Sequence, residues 1–143
     1  MFDPIKRKTV DLLVEQFWKH GYLTISRKYG TYLPEPAKIG SFDVDIIAKH
    51  KSDYAIGITI SGDEFNDPKI SERIKYLATR QTKYSNKRVL LFIGTPALYY
   101  KNARILIDLL DQEIRKNIRL LPINDRPVPS IRKSRERGKI LFS

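Results

Sequence analysis

The chain has 143 residues with 41% hydrophobic and 30% charged positions, a length for one domain and a balance that allows a packed core. It has no cysteine and two histidines, which excludes disulfides, thiolate metal sites and cysteine nucleophiles and leaves little for a histidine-based triad. Lys and Arg total 27 against 16 Asp and Glu, a net charge of +11 that points to a polyanionic partner, most simply DNA or RNA. No run approaches the roughly 18 apolar residues that span a bilayer, and Met1-Phe2-Asp3-Pro4 does not open a secretory signal. A cytoplasmic protein with no membrane association is the expectation.

In chain order, residues 5–20 read as an amphipathic helix, with Val10, Leu13, Val14, Phe17 and Trp18 at helical spacing and Gly21 as a stop. His20, at the helix end, reads as a cap. A short strand follows at 22–26. Residues 27–40 form a loop punctuated by Gly30, Pro34, Pro36 and Gly40. Two strands, 42–48 and 54–60, flank a polar turn. Asp67-Pro68 opens a second helix whose stripe is Ile70, Ile74, Leu77 and Ala78. Val89–Ile93 is an apolar run that reads as a buried strand. Thr95-Pro96 opens a third helix through about residue 116, with Leu98, Ile105 and Leu109 expected on its core face. A last strand at 118–123 is confined to a sheet edge by Pro122. Beyond it, residues 124–143 lose apolar periodicity and form a basic tail. The order of elements predicts an α/β fold in which a mixed central sheet is flanked by helices, with one domain over 1–123.

The segment Gly40-Ser41-Phe42-Asp43-Val44-Asp45-Ile46-Ile47-Ala48 carries the chemistry. Asp43 and Asp45 stand two apart in an apolar strand and therefore share a face. Two like charges side by side call for a cation or for water, and a hard divalent cation such as Mg²⁺ is the functional option. An exposed strand face is the plain alternative.

With the hairpin that follows, this segment resembles the PD-(D/E)XK nuclease superfamily, most of all the archaeal Holliday junction resolvases. The resemblance covers roughly residues 5–95 and implies a restriction-endonuclease-like fold. It implies that Asp45 is the metal-binding aspartate, although Val44 stands where the family often has proline. The family then places an acid, any residue and a lysine on the next strand. Those positions fall at Gly57 and Thr59, so neither functional side chain is present. Replacement carboxylates in reach of the sequence are Asp43, Asp63, Glu64 and, on the first helix, Asp11 or Glu15. The expected metal set is Asp45, Asp43 and Glu15, with Asp45 and Asp43 catalytic if activity survives. Lys38 and Lys75 are the lysines that the sequence offers. The loop Arg27-Lys28-Tyr29, the turn holding Lys83, Lys87 and Arg88, and the tail residues Arg132, Lys133 and Arg135 are expected to contact nucleic acid. The resemblance also implies a homodimer. The expected function is nucleic-acid binding by a nuclease-like fold with impaired or lost catalysis. The alternatives are an active metal-dependent endonuclease with a rearranged site, and an adaptor or assembly protein.

Overall fold

The computed structural model describes residues 4–83 and 85–123. The chain is an α/β protein. One five-stranded mixed sheet, in the order β1-β2-β3-β4-β5, carries helices on both faces. Strands β1 (Leu23–Arg27), β2 (Ile46–His50) and β3 (Asp53–Thr59) form an antiparallel meander. Strands β4 (Leu90–Pro96) and β5 (Ile118–Ile123) add in parallel, with Thr59 of β3 beside Gly94 of β4. The expected strand 42–48 is shorter than its composition suggests. Residues 42–45 stand outside β2, held by a tight turn in which Ile39 and Phe42 exchange backbone hydrogen bonds at 3.0 and 3.1 Å.

Helix α1 (Pro4–Lys19) lies on one face. Its residues Val10, Leu13 and Phe17 pack with Ile46, Ala48, Ala55, Phe92 and Ile123. Two glycines let it approach the sheet. A Cβ on Gly57 would meet the Phe17 ring at 2.6 Å, and one on Gly94 would meet Leu13 at 3.3 Å. Trp18, expected in the stripe, is 72% exposed.

The other face is covered by α2 (Ile70–Ala78), α3 (Tyr100–Asp108) and the short α4 (Gln112–Arg115). The α2 stripe Ile70, Ile74, Leu77 and Ala78 is buried as expected, against Ile56, Ile58, Leu91 and Ile93. Asp67 stands upstream of the N-cap position, Lys69, and its carboxylate accepts the Lys69 N–H at 2.9 Å. The expected third helix is three pieces: a 3₁₀ turn at Ala97–Tyr99, then α3, then α4. Its expected core face is corrected. Leu98, Ile105 and Leu109 are 76%, 65% and 80% exposed, whereas Ala103, Ile107 and Leu110 are buried. β5 is an edge strand, which accommodates Pro122. Among the described residues no helix is long and apolar enough to cross a membrane.

Candidate functional site: a buried aspartate between two lysines

Asp45 sits at the bend just before β2, beside the carboxyl ends of β3 and β4. Its main-chain N–H donates to Gly57 O at 2.9 Å, and its main-chain oxygen accepts from Lys28 N at 2.9 Å. The residue is 1% exposed. Removing a carboxylate from water is costly unless charge and hydrogen bonds replace the water. Both are supplied here. The Thr59 N–H and Oγ1–H donate to Asp45 Oδ2 at 2.8 and 2.9 Å. Lys6 Nζ stands 3.5 Å from the same oxygen, and Lys28 Nζ stands 3.7 Å from Oδ1.

Lys6 reaches the site from the first turns of α1, where its ammonium also donates to Thr59 O at 2.9 Å. It is shared: Glu64 Oε2 lies 3.5 Å from Lys6 Nζ. Glu64 is placed by the 3₁₀ turn Gly62–Asn66, whose capping box has Glu64 Oε1 accepting from Ser61 N at 3.1 Å. Arg73 of α2 closes the group, with Nη1 3.9 Å from Glu64 and Nη2 donating to the main-chain oxygen of Asp43 at 3.0 Å. The Nε of Arg73 is buried without a hydrogen-bond partner among the described residues. Asp45, Glu64, Lys6, Lys28 and Arg73 thus form one cluster with an excess of positive charge.

The expected site residues are only partly brought together. Asp43 does not share a strand face with Asp45. Its side chain is exposed, and only its main chain enters the cluster. Glu15 is exposed and stands nine residues after Lys6, about 13 Å further along α1. Asp11 pairs with Arg27. Asp63 is exposed, and of the replacement carboxylates only Glu64 turns toward Asp45. Lys38 and Lys75 are exposed, and the lysines present are Lys6 and Lys28. Lys6 had a sequence signal. At positions 6, 10, 13 and 17 it continues the buried stripe of α1, so its stem runs along the sheet and its head emerges at the strand ends.

Thr59 presents a hydroxyl that donates to Asp45. Gly57 faces Phe17 so closely that the site has no space for an acid there. A hard cation needs several free oxygen donors. Among the described residues no group of three His, Cys, Asp or Glu side chains is placed to hold a metal ion. Asp45 and Glu64 instead flank one ammonium, with Lys6 Nζ 3.5 Å from an oxygen of each.

Of the expected nucleic-acid contacts, Arg27 pairs with Asp11, Lys28 faces Asp45, and Tyr29 is half-buried against the α1 core. Tyr32 is 96% exposed. Lys83, Lys87 and Arg88 lie at the opposite end of the sheet, where Lys87 Nζ donates to Ser52 Oγ at 2.8 Å. Arg132, Lys133 and Arg135 lie outside the described residues. His20 Nδ1 contacts Gln16 O at 2.7 Å, a helix-end contact as expected, and His50 Nδ1 contacts Gly21 O at 2.8 Å.

Comparison with family models, with curated proteins and with solved structures gives no match.

Proposed function

We propose that this chain is a nucleic-acid-binding protein with a restriction-endonuclease-like fold and impaired or lost catalysis, a degenerate relative of the PD-(D/E)XK nucleases. The observation that carries the reading is Asp45. It stands at the carboxyl ends of parallel strands, where open α/β sheets place ligands, and two ammonium groups hold it. Lys6, Lys28 and Arg73 gather three cations at that strand end, side chains of the kind that contact a backbone phosphate. The net charge of +11 supports the same partner.

A second reading has its own observation. Lys6 Nζ is 3.5 Å from both Asp45 and Glu64, which gathers two carboxylates and a lysine from α1, the approach to β2 and the turn after β3. That set would serve an endonuclease with a rearranged centre. A homodimer accompanies either reading by the same resemblance.

The test is a paired binding and cleavage assay. Labelled four-way junction, duplex, single-stranded DNA and RNA are incubated with Mg²⁺ or Mn²⁺, using the wild type, Asp45→Asn and Lys28→Gln. Asp45→Asn preserves shape while removing charge. The first reading expects salt-sensitive binding without cleavage, weaker in Lys28→Gln. Metal-dependent cleavage lost in Asp45→Asn selects the second reading. An absence of binding to every nucleic acid sinks both and turns attention to an acidic protein partner. Sedimentation of the same samples reports the dimer.

A further inference from the structure

At the end of the sheet away from Asp45 lies a second concave feature. A pocket of about 510 Å³ opens on the α2 face of the sheet, over β2 and the amino-terminal half of β3, beside Ile39 and the segment after α2. Its floor is Ile39, Ile47, Tyr54, Ile56 and Val89, and its rim carries Arg80 and Lys83. Gln81, Thr82 and Ser85 also line it, although most of its exposed wall is apolar; that volume and a mostly apolar wall with some polar groups are what small-molecule sites have in common.

The rim cation is fixed in place. The Arg80 guanidinium lies 3.7 Å from the Tyr76 ring centroid, and its Nε donates to Tyr76 O at 2.8 Å. Its backbone is anchored too, since Arg80 O accepts from Val89 N at 3.0 Å. Nη2 reaches Thr79 Oγ1 at 3.4 Å. A guanidinium held at the mouth of an apolar pocket is pre-organised for an anion, because the ordering cost is met by the Tyr76 contacts. Lys83 is exposed beside it, and Lys49 stands 5.3 Å from the Tyr54 ring. The nearby carboxylate, Asp53, already faces Lys87 at 3.5 Å.

We propose that this pocket binds an amphiphilic monoanion, a compact apolar body carrying one carboxylate or sulfonate that meets Arg80. Charge complementarity at the rim argues for the anion, and the aliphatic floor argues for the body. The site is separate from Asp45 and stands whether or not the nucleic-acid reading does.

The test titrates the full chain with two fluorescent probes. 1-Anilinonaphthalene-8-sulfonate carries the anion, and N-phenyl-1-naphthylamine is the same body without it. The sulfonate probe is expected to bind at one per chain and about tenfold more tightly, the scale of one charged hydrogen bond. Arg80→Gln removes that advantage and leaves the neutral probe unchanged. Ile47→Trp and Ile39→Trp each fill the pocket and abolish both signals, with circular dichroism confirming the fold. Displacement by decanoate marks an aliphatic ligand, and displacement by 2-naphthoate an aromatic one. Equal affinity for the two probes overturns the proposal. So does survival of binding in both tryptophan variants, or its loss in Ile105→Lys, which would place the probe on α3. Displacement by an oligonucleotide but not by either acid also overturns it.

Discussion

Two residues govern the chemistry available at the strand ends, and neither is acidic or basic. Gly57 permits Phe17 to lie against β3, and Thr59 clamps the Asp45 carboxylate. At Gly57 even a methyl group collides, so Gly57→Ala is expected to cost about 1–3 kcal/mol of stability, measured by urea denaturation. Gly57→Glu, which would place an acid at that position, should destabilise further, since its longer side chain meets the same Phe17 ring. At Asp45 the buried carboxylate is matched by two donated hydrogen bonds and two ammonium groups. Asp45→Ala strips those partners of their acceptor and is expected to lower stability by about 2–3 kcal/mol. The sequence marks Asp45 as an acid amid apolar residues, and the residue is buried. Its true partners were not legible there, because Lys6, Lys28 and Thr59 come from three separate elements. The i, i+2 spacing with Asp43 misled, since it orients side chains only while both residues are in a strand.

At the scale of elements, α2 and α3 make a useful contrast. The α2 segment has a single apolar stripe, so its buried face follows from its sequence. The α3 region has two. Leu98, Ile105 and Leu109 recur at helical spacing, and so do Ala103, Ile107 and Leu110. The 3₁₀ turn at Ala97–Tyr99 and the restart at Asp111 break the long helix expected there, and the second set meets β4 and β5. Ile107→Ala should therefore cost about 2–5 kcal/mol, whereas Leu109→Lys should change stability by less than about 0.5 kcal/mol. Chemical denaturation of both variants checks the assignment. Equal losses would place both stripes in contact.

Across the whole molecule, charge is distributed between two ends of the sheet and a basic tail. Lys28 and Lys6 belong to the carboxyl end, and Lys83, Lys87 and Arg88 to the amino end. The tail 124–143 holds six basic and two acidic residues, so its deletion takes the net charge from +11 to +7. If those six cations contact phosphates, the deletion should flatten the slope of log affinity against log salt by up to about 5. An unchanged slope would assign the binding to the sheet ends alone. Legible in the residues alone were the α/β class, the mixed character of the sheet, the edge position of β5 and the buried face of α2. These follow from periodicity, strand spacing and proline chemistry, all of which act locally. The tertiary structure alone decided which cations surround Asp45, which α3 stripe is buried and where the Arg80 pocket opens. Each depends on side chains distant in sequence meeting at one point, and that meeting is set by how α1 and α2 seat on the sheet.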